Sequence, residues 1–435
     1  MLLILAASVP NRLKYIAGLM VSDMLGLEVG FTTSPEEFSS HDGPKLAYGH
    51  EPAGNGVFIH ASGLLFETAV SPYRVYPVLI DGETVLFESE HPSSELRFDP
   101  FAAGFYMATR YEEYQTHKKD KFGRFPVAES IAWQGKFLDV PIVHHWAAKL
   151  GELLVKRFPG LKLNQRVYNY VPTIDIDHAW CYLGRNFTRT LGGFGRSLVN
   201  GHFREVGNRF RVLSGMASDP YDNYDFIRKV HEPYDSHPLF FVLFADYGGN
   251  DNNVSVDGRN FLKLLHDLDV HQTVGIHPSL SSNKYLFKLE DEYDGLCEAL
   301  DRDVTLSRQH FLKFSMPRTY RTLIQLGITH DYSMGYASNP GFRAGLAIPF
   351  RFYDLVRDEI TPLVIHPVTL MDVTMKDYLR LSTEKSLEEI SKMIQTIRSV
   401  NGEFVSIWHN ESLGDTGRWA GWRAVYEQMV KMASS

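Results

Sequence analysis

Cysteine is nearly absent from this chain. Cys181 and Cys297 are the only two, and neither sits in a CxxC pair or a metal knuckle. For 435 residues that excludes a disulfide scaffold and makes a reduced compartment the default expectation. Excess basic charge is lacking too: the formal net charge is -8 and no basic stripe stands out, so nucleic acid is not an expected partner. No stretch approaches the ~18 apolar residues that a membrane helix needs. The opening MLLILAASVP is apolar at once, with no basic segment before it; it reads as a first β-strand rather than a signal peptide, and the expected location is the cytoplasm. Internal repeats and low-complexity tracts are also missing.

What is present is a large apolar inventory, 44% hydrophobic and 13% aromatic, which supports a folded core and argues against disorder. At about 150 residues per domain the length suggests two or three domains. The texture changes near Pro159-Gly160. Before it, short strands (Leu2–Ala6, Leu27–Phe31, GVFIHAS, VYPVLI) alternate with turns, and helices are expected at Asn11–Leu25, from Asp99-Pro100 to Tyr114, and at Trp146–Lys156. Asp99 has the chemistry of an N-cap, with Pro100 in the first turn. After about Val167 the pattern is β then α, repeated. Strands are expected at Tyr168–Ile174, Leu239–Phe244, Gln272–Ile276, Thr329–Ser333, Leu363–Ile365 and Glu403–Trp408. Helices are expected at Phe261–Leu268, Pro317–Leu326 and Ser386–Val400, the last with a capping box from Ser386 to Glu389. Such alternation gives a parallel sheet or barrel. Gly184–Asn223, rich in Arg and Gly, reads as a long loop or helical excursion after the first of these strands.

Three polar clusters end apolar stretches: PTIDID at Pro172–Asp177, VGIHPS at Val274–Ser279 and VSIWHNES at Val405–Ser412. Strand ends that bring Asp, His and His to one mouth are how a β/α barrel builds a hydrolytic site. Asp175 and Asp177 are two apart, which on a strand puts both carboxylates on one side. Two like charges that close call for a cation, so a divalent metal on one Asp with the other as base resolves the conflict; alone, the pair could equally cap the following turn. His277 could ligate a metal and His409 could act as a general acid, although a lone strand-end histidine is more often a buried one bonded to backbone. Glu411 could support His409 from behind. His144-His145-Trp146, at a helix start, reads as structural.

Together these residues resemble the NodB-like polysaccharide deacetylases. The family's first motif, TFDDG or TFDDD, is similar to Thr173-Ile174-Asp175-Ile176-Asp177 with the carboxylates one residue further apart. Its TFFV strand is similar to Leu239–Val242, its H-S/T-x-x-H motif to His277-Pro278-Ser279-Leu280-Ser281, its Arg-Pro-Pro-Tyr motif to Arg308-Gln309-His310-Phe311, and its strand-end His to Trp408-His409. The resemblance runs from Val167 to the end and implies a distorted (β/α) barrel over 167–435, preceded by a smaller α/β domain at 1–166 whose role it does not address. It implies Asp175 as general base, Arg308 orienting that base, His409 as acid, and Asp177 and His277 as ligands of a divalent metal, expected to be zinc. Which Asp does which is left open by the altered spacing. Ser281 stands where the family has a second histidine ligand, and His310 is either its replacement or a group contacting sugar.

Aromatic rings beside Arg and Asp suit a sugar cleft, and Arg343, Tyr336 and Trp408 are the expected substrate contacts. The expected activity is metal-dependent deacetylation of an N- or O-acetylated saccharide, a biosynthetic intermediate of a surface glycan, nucleotide-linked or lipid-linked. The rivals are a non-catalytic carbohydrate-binding barrel with a degenerate metal site and a scaffold whose N-terminal domain recruits a partner enzyme. Oligomeric state is not legible.

Overall fold

The computed structural model describes residues 1–435 apart from 165, 186, 252 and 272. Gln272, where one strand was expected to start, and one residue of the Gly184–Asn223 excursion therefore lie outside the described residues. The N-terminal part builds a four-stranded parallel sheet, ordered β2-β1-β3-β4, from β1 (Leu2–Leu5), β2 (Val29–Thr32), β3 (Lys45–Gly49) and β4 (Val57–His60). The apolar opening is a central strand, buried at every position and paired on both sides. Helices α1 (Asn11–Ala17), α2 (Pro35–Ser40), α3 (Pro100–Ala108), α4 (Ile131–Gln134) and α5 (Ile142–Arg157) accompany it, with a small antiparallel pair β5 (Val78–Ile80) and β6 (Glu83–Val85). Asp99 does cap α3, accepting from the Ala102 N–H at 3.0 Å with Pro100 in the first turn.

The remainder is a nine-stranded sheet ordered β12-β13-β11-β10-β9-β8-β7-β15-β14. In chain order it comprises β7 (Asn169–Ile176), α6 (Phe187–Val199), α7 (Phe203–Leu213), α8 (Tyr224–His231), β8 (Leu239–Val242), α9 (Arg259–His271), β9 (Thr273–Ile276) and α10 (Leu286–Leu300). Then follow β10 (Leu306–Ser307), α11 (Arg318–Gln325), β11 (His330–Met334), β12 (Phe350–Asp354), β13 (Glu359–Pro367), β14 (Leu370–Met371), α12 (Thr383–Ser399), β15 (Glu403–His409) and α13 (Trp422–Ser434). All neighbours are parallel except β12 with β13. The end strands do not pair with each other among the described residues, so the fold is α/β with a curled half-barrel sheet and a smaller α/β unit before it.

Strand periodicity sorts the side chains. Ile174, Ile176, Phe240, Val242, Phe404 and Trp408 join the main core with the helices. Their alternates Phe241, Val405 and Ile407 form a second apolar cluster on the other face, with Leu306, Tyr332 and Met371. One helix cap shifts. The cap of α12 is Ser382, whose Oγ accepts from the Lys385 N–H at 3.3 Å; Ser386 lies inside the helix and donates to the Ser382 carbonyl instead. The Gly184–Asn223 excursion contains two helices, α6 and α7.

The two parts meet through a buried ion network. Arg343 grips Glu113 with Nε at 2.9 Å and Nη2 at 2.7 Å, and Arg110 Nε adds a third contact at 2.8 Å. Burial alone would raise the Glu113 carboxyl, but Arg343 and then Arg110 bring it down to about 2. A depressed carboxyl contributes stability that is complete above its unfolded value of 4.5 and is lost as pH falls toward about 2. Glu113→Gln leaves the buried Arg343 guanidinium without a carboxylate and Arg110 with Glu112 alone, and is expected to destabilise by ~3–5 kcal/mol at neutral pH. Urea unfolding of both proteins checks this, and the gap between them should narrow from pH 4.5 downward.

Candidate active site

In a parallel sheet every strand delivers its C-terminal residues to the same edge. Here that edge receives Asp175 and Asp177 from β7, His277 after β9, Arg308 and His310 after β10, Asp372 after β14 and His409 at the end of β15. β15 lies beside β7 in a register that pairs His409 with Asp175. Short parallel strands stop where the apolar pattern stops, and the polar residues follow at once.

Asp177 is the centre of the group. Its Oδ1 lies 3.3 Å from His277 Nε2, and its Oδ2 lies 3.4 Å from His310 Nε2 and 3.8 Å from His409 Nε2. Each ring is held from behind through Nδ1. His277 Nδ1 is 2.6 Å from the Arg308 carbonyl, His310 Nδ1 is 2.8 Å from Asp251 Oδ1, and His409 Nδ1 is 2.8 Å from Asp372 Oδ1. A partner on Nδ1 fixes tautomer and orientation and turns Nε2 inward. Burial alone would raise Asp177; His310 first, then His277 and His409, hold it well below the usual carboxylate range. Burial works against charge on His310, yet Asp177 and Asp251 raise it to about 9. His409 is likewise raised well above its ordinary value, against burial, chiefly by Asp372.

One ligand atom each from Asp177, His277 and His310 lie within 4.8 Å of one another, a group able to hold a metal ion. Asp177 Oδ1 is buried without a hydrogen-bond partner, and two Nε2 atoms converge on the carboxylate with their Nδ1 sides already occupied. Two imidazoles and one carboxylate are donors that suit a divalent metal ion. Ser281 stays outside it: its N–H is 3.4 Å from Asp251 Oδ2 and its hydroxyl is 2.9 Å from Ser279 Oγ.

Arg308 is wholly buried beneath Asp175. Its Nη1 donates to Asp175 Oδ1 at 2.7 Å and to Thr173 Oγ1 at 2.6 Å, its Nε donates to the Tyr332 carbonyl, and its guanidinium lies over the Phe241 ring. It orients Asp175 and does not reach the cavity. That cavity, about 320 Å³, is lined by Asp175, Asp177, His277, His310 and His409. Leu312, Ala337, Met371 and Val373 give it an apolar wall, and Gln309, Tyr378, Glu411, Arg418 and Arg124 a polar one.

The three expected substrate contacts are not there. Trp408 is fully buried on the opposite face of β15, its indole N–H against Met429 Sδ, because neighbours of His409 on a strand must point the other way. Arg343 and Tyr336 are buried between the two parts: Arg343 pairs with Glu113, and the Tyr336 hydroxyl accepts from Arg110 at 3.0 Å. Asp331, Tyr332, Ser333 and Met334, in β11, are buried as well. Four residues at the cavity or behind it were not picked out in the sequence. Asp251 and Asp372 follow β8 and β14, but pair with histidines on other strands. His178 directly follows Asp177, and Arg124 comes from the N-terminal part.

Residues 2–159 match the model of a family of unknown function (DUF7033). No curated protein matches the chain. Among solved structures, a Mycobacterium smegmatis protein described as a polysaccharide deacetylase superposes with TM-score 0.40 at 15% identity, covering 62% of this chain and 85% of its own. One from Pseudomonas aeruginosa gives TM-score 0.34 at 11% identity, with coverages of 47% and 64%. One from Bacillus cereus gives 0.25 at 10%, with 47% and 78%.

One divalent ion per chain is expected on titration with zinc, followed by calorimetry against a competing chelator. Asp177→Asn and His277→Ala are expected to abolish it. Asp251→Ala, which frees the His310 ring, is expected to weaken it ~10–100-fold. A chain that takes up no metal at saturating zinc would dismiss the site.

Proposed function

We propose that the chain is a metal-dependent deacetylase of an N- or O-acetylated saccharide. The observation that carries this reading is Asp177 facing three Nε2 atoms whose rings are each fixed through Nδ1, beside a second carboxylate, Asp175, held by Arg308. Asp177, His277 and His310 would hold a divalent ion, zinc by its donor set. When bound, such an ion polarises an acetyl carbonyl and lowers the pKa of water.

The chain's own groups divide the proton work. Asp175, at the cavity floor with one oxygen tied to Arg308, is placed to take the proton of the attacking water through its other oxygen. His409, held charged by Asp372, is placed to give a proton from Nε2 to the departing amine or alkoxide. The apolar wall of Leu312, Ala337, Met371 and Val373 suits the acetyl methyl, and Gln309 and Tyr378 offer partners to hydroxyls. The rival reading, a sugar-binding barrel with a broken metal site, was motivated by Ser281. His310, converging on Asp177 from the next strand, favours the enzyme. A surface glycan precursor remains the proposed source of the substrate.

We also propose 1–166 and 167–435 as two structural units, supported by their separate sheets and by the family match ending at 159. The first unit contributes Arg124 to the cavity, where its Nη1 donates to the Phe311 carbonyl at 2.9 Å beside His310.

Asp175→Asn and His409→Ala are each expected to lower acetate release from an acetylated sugar by at least ~100-fold while the chain still folds, with a lower unfolding temperature because Arg308 and Asp372 each lose a buried partner. An acetate assay on purified variants decides; near-full activity in either one removes its assigned role.

A further inference from the structure

The α6–α7 excursion rises from the active-site edge and leaves its apolar faces uncovered. On α6, Phe187, Leu191, Phe194 and Leu198 fall at helical spacing on one stripe; on α7, Phe203, Val206, Phe210 and Leu213 do the same. Phe187 is 76% exposed, Phe203 70% and Phe210 59%. Between the helices only Ser197, Arg209 and Val212 are buried. The segment 184–217 carries six arginines against one acid, Glu205, in a chain whose net charge is -8. Arg196, Arg204 and Arg211 are exposed and flank the stripes.

The neighbouring loops continue this surface. After β8, the ring of exposed Tyr247 lies under the Arg189 guanidinium at 3.8 Å. After β9, the exposed side chains of Tyr285, Leu286 and Phe287 sit between Lys284 and Lys288. β7, β8 and β9 are adjacent in the sheet, so these three loops form one rim. The base of the excursion is anchored to the site. Asp219 accepts from the N–H groups of Cys181, Tyr182 and Leu183 on one leg and Tyr221 on the other. The Asn410 side chain, next to His409, donates to the His178 and Tyr221 carbonyls.

We propose that this rim docks on an anionic bilayer surface and that the substrate is a lipid-linked acetylated saccharide presented there. The substrate half rests on the proposed deacetylase reading; the docking half does not. Apolar stripes flanked by arginine lie in the headgroup region, the rings among the acyl chains and the guanidinium groups among phosphates. Charge selects the occupant, since a second copy of this acidic chain offers the arginines only another arginine-rich face in a two-fold contact. No helix among the described residues is long and apolar enough to cross a membrane, so the contact is peripheral.

Sedimentation with vesicles of phosphatidylcholine alone, or with phosphatidylglycerol added, tests it. The full chain is expected to bind the anionic vesicles, to leave neutral ones in solution, and to release at high salt. F203D/F210D and R196E/R204E/R211E are each expected to lose at least ~10-fold in partitioning, with unchanged unfolding and unchanged acetate release from a soluble acetylated sugar. Both are expected to slow on a lipid-linked one in vesicles. Asp177→Asn should bind vesicles like the native chain, so a failed deacetylase reading and a failed docking surface are told apart. Indifference to anionic vesicles overturns the proposal. So does a native dimer that F203D/F210D dissolves without any vesicle binding, which would assign the face to a second copy.

Discussion

One carboxylate sets the terms for the whole active-site edge. Asp177 is half-buried, charged and surrounded by three imidazole nitrogens, and a charge drawn out of water is tolerated only where partners are fixed in place. The fixing is done at a distance from Asp177 itself. The Arg308 carbonyl, Asp251 and Asp372 each hold one Nδ1 and so aim one Nε2. Those anchors follow β10, β8 and β14, and the rings they hold follow β9, β10 and β15. Here parallel strands that end together converge the six groups, and this is why the site depends on the register of β7 with β15 and β8.

His310 reaches Asp177 through a partner on another loop. Where the resembled motif has a histidine, Ser281 instead feeds its N–H to Asp251, and Asp251 carries His310. The ring therefore arrives from one strand over. The chain after it turns through two left-handed residues, Phe311 at φ 60° and Leu312 at φ 51°, a conformation that costs side-chain-bearing residues free energy and persists only where the surroundings impose it. The surroundings here come from the N-terminal part: Arg124 holds the Phe311 carbonyl and the Phe122 ring packs on the Phe311 ring at 4.9 Å. The first 166 residues thus buttress the loop bearing His310, although none of them has the spacing of a catalytic motif.

Much of the edge was legible because strand ends are legible. Asp175, Asp177, His277 and His409 stop apolar runs, and the runs formed strands within a few residues of their expected limits. Short strands were not legible. β10 and β14 have two residues each, too few for any period to show, and with β14 unseen Asp372 had nothing to mark it. Asp251 was hidden for a related reason, since its partner is 59 positions away and pairing across a sheet leaves no local trace. The loss of Trp408 as a substrate contact is different, because period two already forbids it to share a face with His409. Arg343 and Tyr336 misled because a buried arginine and an exposed one look alike until their carboxylate is found. Glu113 lies 230 positions away.

Charge shows the same gap between sum and placement. A net charge of -8 is a sum, and it says nothing about where the cations are. Arginine is concentrated in 184–217, and many of the acids elsewhere are spent on internal contacts: Glu113 on Arg343, Asp358 on Arg12, Asp354 on Arg321, Asp219 on backbone amides. Screening confines the field of an exposed charge to roughly 10 Å at ordinary salt, so an approaching surface senses the nearest rim and little of the remainder. At the active-site edge that rim is aromatic and basic, and it belongs to the same three loops that leave β7, β8 and β9 beside the buried carboxylates.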